Sequence, residues 1–466
     1  MNALESSLTK LTRALIRVAL GFYFSRIESF HAERAPSAGP VMFTANHPNS
    51  LTDAFVIGTS VPRKVHFVAT AQLFRFKPLA WLLKQCGVIP INRVKDDPKA
   101  MRTVFDTFEA CFQVLERDGA IVIFPEGITH DDPQLKPVKT GAARMALELE
   151  HRHGGKLGLQ IVPVGLTFSA KEMYRSKVLV NFGEPIRIAE FIAGYAERRK
   201  ECINELTAEI EQRIQALMLH LPKLEQARVI EAVKRLYLDR LRLGNLIVKE
   251  PLSPRAEELV LTRAIADAVQ YTERAQPERL TAFIQQVDHY ERWLKRLHLS
   301  DETIELFSDR TNLIARSFGW ATMGVFGLPI ALYGWAHRLL PGTLVRWTVN
   351  YFAKREQRKA ASSTAAIIAG IVSFSITYSF YVWAVHRWLG WPVSLWFALS
   401  LPATGMISHY YFRELRRLAA GLRITLIFFK VPFVTRRLMA MRSALIAEIE
   451  SLRTEYRKTL PTASGG

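Results

Sequence analysis

Residues 41–53 have the sequence VMFTANHPNSLTD, an apolar run followed by a polar turn and the start of a helical pattern. Further short apolar runs follow before residue 190, separated by longer stretches of helical period. They cover Val65–Ala69, Val88–Ile91, Ala120–Phe124, Ile161–Leu166 and Val178–Phe182. Such runs indicate buried strands, and helices are predicted to start at Asp97–Pro98 and Gly141. Alternating strands and helices predict an α/β fold, a layered sheet-and-helix domain.

The polar turn after the first strand contains a histidine and an aspartate, His47 and Asp53. A histidine can deprotonate an alcohol near neutral pH, and a carboxylate can hold its tautomer and stabilise the imidazolium. A plainer interpretation is also open, because Ser50 followed three residues later by Asp53 resembles a capping box that opens a helix. The two interpretations are compatible.

Three more clusters follow predicted strands, where open α/β sheets place their sites. Arg93 ends the run GVIPINR and could bind a phosphate bidentately or simply lie on the surface. Glu126 lies in the turn FPEG, where its carboxylate could accept hydrogen bonds from a polyol. Lys139 precedes a glycine that opens a helix, a suitable position for holding an anion. The run IVPVG at 161–165 has no titratable group and is expected to line a pocket.

The charge of the chain is strongly one-sided. Its 466 residues include 62 Lys and Arg against 43 Asp and Glu, a formal net charge of +19. This excess implies an anionic partner, either a membrane surface, a nucleic acid or a phosphorylated substrate. No nucleic-acid-binding motif is recognisable and the basic residues flank apolar segments, which favours the membrane and predicts no nucleic-acid partner. The three cysteines are Cys86, Cys111 and Cys202. Their spacing is not that of metal ligands, so they are predicted to be reduced core residues and no metal site is expected.

Three uncharged stretches occupy the last third of the chain, at residues 317–336, 360–385 and 388–408. About 20 apolar residues span a bilayer as a helix, so each is long enough. Basic residues flank the 360–408 pair on both sides, which predicts cytoplasmic flanks and a far-side turn at His386–Arg387. The domain before this stretch, with its reduced cysteines, is also expected in the cytoplasm, so both ends of the first stretch lie on one side. A straight helix there would be weakened by Gly324, Gly327, Pro329 and Gly334. A broken, re-entrant hairpin is therefore predicted for the first stretch.

Composition divides the chain into five predicted segments. Apolar residues at helical spacing with basic residues between them predict an amphipathic, membrane-associated helix at the N-terminus instead of a signal peptide, or else an ordinary helix packed on the domain. Breaks are predicted in the helical region near Pro251–Pro254 and Pro277. The segments are the N-terminal helix (1–30), a catalytic domain (31–190), a helical region (191–312), membrane segments (313–412) and a basic amphipathic tail (413–466).

Four runs of the sequence, in this order, resemble the four motifs of the glycerolipid acyltransferase family. They are NH…D at 46–53, GVIPINR, FPEG and IVPVG. That family includes glycerol-3-phosphate and lysophosphatidate acyltransferases. The runs THD at 129–131, KTG at 139–141 and YRS at 174–176 look more like its fungal glycerol-3-phosphate/dihydroxyacetone-phosphate branch. Most of the family places four residues between the histidine and the aspartate. Five separate them here, a spacing that the fungal branch shares.

The resemblance implies roles for particular residues. His47 would be the general base and Asp53 its partner, while Arg93, Glu126 and Gly127 would bind the glycerol phosphate. The remaining candidate substrate-binding residues are Asn46, Ser50 and Lys139. Backbone amides of the 46–50 turn would then stabilise the oxyanion of the tetrahedral intermediate.

The resemblance also implies a membrane-bound O-acyltransferase of phospholipid biosynthesis. Its donor would be an acyl thioester, acyl-CoA or acyl carrier protein, with no cofactor. Its acceptor would be glycerol 3-phosphate or dihydroxyacetone phosphate, with a lysophospholipid, 1-acyl-glycerol 3-phosphate, as the alternative. The expected location is the cytoplasmic membrane in a bacterium or the endoplasmic reticulum in a eukaryote, with the catalytic domain facing the cytoplasm. An inactive membrane scaffold on the same fold is the alternative of another class.

Overall fold

The computed structural model describes residues 3–74, 77, 80, 83, 87–91, 101–130, 134–168, 174–218, 229–237, 254–297, 299, 301, 304, 310–356, 360–430 and 432–459. The chain forms two compact units. Unit 1 comprises Met1–His220 and Arg346–Ile371, and unit 2 comprises Leu221–Val345 and Val372–Gly466. Unit 1 therefore takes in a segment from the last third of the chain.

Unit 1 is built on a mixed sheet with eight described strands. They are β1 (Arg26–Phe30), β2 (Val41–Ala45), β3 (His66–Thr70), β4 (Ile89–Ile91), β5 (Ala120–Ile123), β6 (Gln160–Phe168), β7 (Lys177–Phe182) and β8 (Ile186–Arg187). Their order is β1-β7-β6-β2-β5-β3-β4, and β8 pairs with β6. Strands β6, β2, β5, β3 and β4 are parallel, whereas β7 and β8 run antiparallel to β6. The predicted α/β class is confirmed, and all six predicted strands are present.

Helices cover both faces of this sheet. They are α1 (Ala3–Tyr23), α2 (Leu51–Ser60), α3 (Met101–Leu115), α4 (Gly141–Arg152) and α5 (Arg199–Leu217). Neighbouring residues of a strand point to opposite faces, so Met42 joins the core with α3, α4 and α5, while Val41 and Phe43 join the core with α1 and α2. Double coverage explains why the central strands are apolar throughout.

Two of the three cysteines lie in the described residues, and both are buried, free thiols in this core. They are Cys111 and Cys202. Burial raises the pKa of the Cys111 thiol to about 12, so it stays protonated and inert at neutral pH. Cys86 and the predicted helix start at Asp97–Pro98 lie outside the described residues.

Helix α1 has two apolar faces. Leu20 and Tyr23 are buried in the core of unit 1. On the other face, four apolar side chains are exposed: Leu11, Leu15, Val18 and Phe22. The basic residues Arg13 and Arg17 donate hydrogen bonds to carbonyl groups at the end of α2, where the helix dipole is negative. The helix therefore packs on the domain and also presents an apolar surface.

Unit 2 is helical in its described part. It contains α6 (Pro254–Ala275), α7 (Pro277–Arg296) and α10 (Pro432–Thr459), together with most of α8 (Arg310–Glu356) and of α9 (Ala360–Lys430). Helices α6 and α7 each begin at a proline, in agreement with the two predicted breaks. A proline is well suited to the first turn of a helix, because the N–H it lacks would have no intrahelical partner there.

The first uncharged stretch, residues 317–336, lies inside α8, a helix of 47 residues with Pro329 and Pro341 in its interior. The predicted re-entrant hairpin is therefore wrong. Glycine here serves close packing: a Cβ on Gly334 would lie 2.1 Å from the carbonyl oxygen of Thr404. An interior proline removes one helical hydrogen bond and kinks a helix, but it does not have to reverse the chain.

The second and third stretches lie in α9, which is interrupted at Gly390 with φ 78° and ψ −179°. His337 hydrogen-bonds Tyr378 on one side of this break (2.9 Å) and Thr404 on the other (3.0 Å). A straight helix would separate those two residues by roughly 39 Å, so the chain folds back between them. The predicted helical pair is thus present. Its turn lies at Gly390 instead of His386–Arg387, because glycine readily adopts a positive φ.

Candidate active site

Two turns of unit 1 meet because the strands before them are neighbours. Strands β2 and β5 are parallel, with Thr44 opposite Ile123, so both end at the same edge of the sheet. The turn at 46–50 follows β2, and the turn at 124–127 follows β5. Motifs that are about 80 residues apart in sequence are thereby brought into hydrogen-bonding contact.

His47 and Asp53 form a pair across the first turn. The His47 Nδ1 atom lies 2.9 Å from Asp53 Oδ2, and the aspartate side chain is fully buried while the histidine side chain is 15% exposed. A carboxylate at Nδ1 favours the proton on that nitrogen and leaves the lone pair on Nε2. The five-residue spacing between the two side chains is therefore compatible with the contact that a general base requires.

The capping-box interpretation of the same turn does not hold. Ser50 precedes α2 with φ 55° and ψ −138°, and its side chain makes no capping hydrogen bond. The Asp53 carboxylate turns back instead and accepts the backbone N–H of Asn49 at 2.7 Å, in addition to pairing with His47. The aspartate thus braces the turn that carries the histidine.

Phe124 fixes the plane of the histidine ring. The two rings are stacked, with centroids 4.0 Å apart and planes inclined by 14°. Sequence reasoning missed this residue, because the stacking depends on β2 and β5 being neighbours in the sheet.

Glu126 joins the two turns. Its Oε1 accepts the backbone N–H of His47 at 2.8 Å, and its Oε2 accepts the backbone N–H of Lys136 at 2.8 Å and also pairs with His130 Nε2. The side chain is fully buried. The carboxylate is therefore engaged by protein donors, and its direct contact with an acceptor stays a prediction. His130 was not predicted as a site residue, although its position four residues after Glu126 in the same motif is a usable signal.

Asn46 connects the first turn to β6. Its side-chain amide donates to the carbonyl oxygen of Leu166 at 3.0 Å, and its side-chain oxygen accepts the N–H of the same residue at 2.7 Å. The side chain thus imitates a strand neighbour and is buried. Its predicted contact with a substrate likewise stays a prediction.

Few backbone amides of this turn remain for an oxyanion. The amides of His47 and Asn49 already donate to carboxylates, and Pro48 has no N–H. The turn therefore leaves at most the amides of Asn46 and Ser50 for an oxyanion, and the predicted oxyanion contact stays a prediction.

Gly127 and Lys139 lie against each other. Gly127 has φ 67°, and a Cβ there would lie 2.6 Å from the Lys139 ammonium nitrogen. The Lys139 backbone N–H also donates to the carbonyl of Pro125 at 2.9 Å. A cation is thus held beside the Pro-Glu-Gly turn, directly before α4, as an anion site requires. Arg93 lies outside the described residues.

Comparison with known proteins gives this site a family. Residues 26–167 match the family model named Acyltransferase. Glycerol-3-phosphate O-acyltransferase 1 of Saccharomyces cerevisiae is 26% identical over 305 residues, 65% of this chain and 38% of that protein. An uncharacterized acyltransferase of Schizosaccharomyces pombe is 35% identical over 26% of this chain and 18% of that protein. The chain thus spans less than two fifths of the length of these fungal relatives.

A bacterial relative is covered almost completely. The 1-acyl-sn-glycerol-3-phosphate acyltransferase of Bacillus subtilis is 25% identical over 41% of this chain and 91% of that protein. The crystal structure of the corresponding enzyme of Thermotoga maritima covers 46% of this chain, with 19% identity and a TM-score of 0.34. Residues 26–167 therefore form a domain of the acyltransferase family, and glycerol-3-phosphate and 1-acyl-sn-glycerol-3-phosphate acyltransferases are among the proteins that this chain resembles.

Proposed function

We propose that this protein is a membrane-bound glycerolipid O-acyltransferase that acylates glycerol 3-phosphate or dihydroxyacetone phosphate. The 2.9 Å contact between His47 and Asp53, inside the region that matches the family, is the observation that carries the proposal. The similarity to the yeast glycerol-3-phosphate enzyme is longer than the family match, which favours this acceptor class. The alternative acceptor, 1-acyl-glycerol 3-phosphate, is supported by the Bacillus relative.

The proposed chemistry needs one base and one carboxylate. His47 Nε2 takes the proton of the acceptor hydroxyl. At the same time the oxygen of that hydroxyl attacks the carbonyl carbon of the thioester. The new C–O bond forms, the C–S bond breaks, and the imidazolium returns the proton to the departing thiolate. Asp53 stabilises the imidazolium between these two steps. No acyl-enzyme intermediate is needed.

The acceptor phosphate is assigned to the basic residues beside the two turns. Lys139 is held against Gly127 at the start of α4, where a cation and the helix N-terminus act on an anion together. Arg93 is added on the resemblance alone, as a bidentate phosphate ligand. The acyl chain of the thioester donor is placed on the membrane side of the site.

Membrane attachment is part of the proposal. The described residues contain one segment long and apolar enough to cross a membrane, Thr364–Arg416. Exposed aromatic side chains surround its break at Gly390, as at a membrane interface. They are Trp383, Trp388, Trp391 and Trp396. The exposed apolar face of α1 supports a second contact with the bilayer. We place the catalytic unit on the cytoplasmic side.

Acyl transfer by the purified, membrane-reconstituted chain tests the proposal. Labelled acyl-CoA or acyl carrier protein is offered with each candidate acceptor. His47→Ala should lower turnover by roughly 10²–10⁴-fold, the usual contribution of a general base, and Asp53→Asn should also be severe. His31→Ala is the matched control, since His31 is exposed and its side chain pairs with Glu33 and contacts the ring of Phe30. Near-normal turnover by folded His47→Ala contradicts the mechanism, and no turnover of any acceptor by the wild type favours the scaffold alternative.

A further inference from the structure

The start of α9 touches the helix that carries Asp53. The Thr364 hydroxyl accepts the backbone N–H of Thr52 at 3.3 Å and lies 3.0 Å from the Thr52 hydroxyl. Thr52 is fully buried and Thr364 is 7% exposed, and both belong to unit 1. Thr364 lies far beyond the residues that match the family model, which end at 167.

This contact supplies a cap that α2 lacks locally. The first N–H groups of a helix have no intrahelical acceptor, and a side chain just before the helix normally accepts one of them. Ser50 stands in that position but makes no side-chain capping bond. The Thr52 amide is satisfied instead by a hydroxyl 312 residues away in sequence.

The capped turn carries the aspartate that pairs with the reacting histidine. Asp53 follows Thr52 directly, and its carboxylate bonds both His47 and the Asn49 amide. Ile367, about one turn further along α9, is buried in the same core cluster as Val56 and Ile57 of α2. Any loosening of the first turn of α2 would therefore move the carboxylate relative to the imidazole.

We propose that Thr364 is a positioning residue for the His47–Asp53 pair, so that the first turns of the apolar helix α9 complete the active site. The inference rests on the proposed function, because the pair is assigned the base of acyl transfer there. It assigns a role in the reaction to a segment outside the acyltransferase motifs.

The first test compares three variants of the full chain in acyl transfer. Thr364→Val should lower kcat by up to about 10²-fold, the cost of a small misplacement of catalytic groups, with the KM of donor and acceptor little changed. Thr364→Ser keeps the hydroxyl and should restore kcat. Ser373→Ala is the matched control, since it removes another buried hydroxyl of α9, one that donates to the Pro341 carbonyl, and it should leave kcat unchanged.

Thr52→Val provides a second variant of the same contact. It removes the hydroxyl pair but keeps the bond to the Thr52 amide, so it should lower kcat less than Thr364→Val does. Added to Thr364→Val, it should have no further effect, because its partner is already gone. Additive losses, or equal losses in Thr364→Val and Ser373→Ala, would overturn the proposal.

Amide hydrogen exchange gives a readout that does not need acyl transfer. In the full chain, Thr364→Val should accelerate exchange in the first turn of α2, whereas Ser373→Ala should not. Unchanged exchange at residues 51–54 in Thr364→Val overturns the inference even if the enzyme is active. Faster exchange in a chain that acylates no acceptor would leave the structural coupling in place and remove the proposed function alone.

Discussion

At the scale of single residues, the site depends on buried carboxylates with several donors each. Glu126 accepts two backbone N–H groups and pairs with His130, and Asp53 accepts one backbone N–H and pairs with His47. A carboxylate can accept from several donors because it has about four lone-pair positions. Glu126 of the FPEG turn therefore helps to position His47. This role is separate from any contact that Glu126 makes with a substrate.

Glu126→Gln separates these two roles. Glutamine keeps one accepting oxygen but replaces the other with an NH2 group that can only donate. Both Glu126 oxygens accept hydrogen bonds, so at least one buried donor loses its partner, which should destabilise the protein by about 1–3 kcal/mol. We expect both the thermal midpoint and kcat to fall. Glu184→Gln, at an exposed glutamate that pairs with Arg34, is the control. A rise in the KM of the acceptor at unchanged thermal stability would mean that Glu126 acts only as a substrate ligand.

At the scale of elements, the fourth motif is explained by packing. Gly165 of β6 lies against the end of α5, and a Cβ there would lie 2.4 Å from the carbonyl oxygen of Leu217. Since that neighbour is backbone, Gly165→Ala should cost about 1–3 kcal/mol of unfolding free energy, as overpacked sites do. Gly141→Ala, which has open space around it, should be neutral or slightly stabilising. Thermal unfolding of both variants checks this, and equal midpoints would contradict it.

A second element-scale prediction concerns the join between α7 and α10. Asp301 accepts a hydrogen bond from Tyr290 at 2.6 Å and is bridged by Arg442 at 3.1 Å. Burial and the neighbouring carboxylate raise the pKa of Tyr290, so the phenol stays a donor. Asp301→Ala leaves the Arg442 charge without this partner and should cost roughly 3–5 kcal/mol. Tyr290→Phe should cost about 0.5–1.5 kcal/mol. Chemical denaturation measures the loss of unfolding free energy in each variant. A larger loss in Tyr290→Phe than in Asp301→Ala would refute the prediction.

At the scale of the whole molecule, sequence reasoning succeeded where a local pattern decides the structure. Six strands and the His47–Asp53 contact follow from apolar runs and a short spacing. Strand β1 was missed because its residues, RIESF, include two charges and leave no continuous apolar run. The re-entrant hairpin was wrong because Gly334 was taken as a helix breaker, whereas it accommodates the Thr404 carbonyl.

Site residues that act through long-range contacts could not be predicted from the sequence either. His130, Phe124 and Thr364 depend on which strands and helices are neighbours, and no local spacing encodes that. The predicted domain boundaries stay predictions. The compact unit that contains the site nevertheless extends past residue 190 and includes Arg346–Ile371.

Membrane topology gives the prediction that belongs to this scale. Residues 346–371 share a compact unit with His47, so they should lie on the catalytic side, whereas the Gly390 turn should lie on the far side. Trp347 and Trp388 are 69% and 89% exposed, so burial does not shield a cysteine at either position from a labelling reagent. An impermeant thiol reagent on sealed cells should label Trp388→Cys and spare Trp347→Cys. Labelling of Trp347→Cys from outside would reverse the assignment.

The discontinuity of unit 1 has a consequence for the order in which the protein is made. Its last segment, Arg346–Ile371, is synthesised after Leu221–Val345 of unit 2. At about 5–20 residues per second, translation of the intervening stretch takes roughly 6–25 s. Throughout that interval the nascent catalytic unit lacks Thr364 and the side chain of Ile367 in its core. Ribosomes stalled before residue 364 should therefore carry an acyltransferase domain that proteases cleave in the first turn of α2, and release of the full chain should protect it.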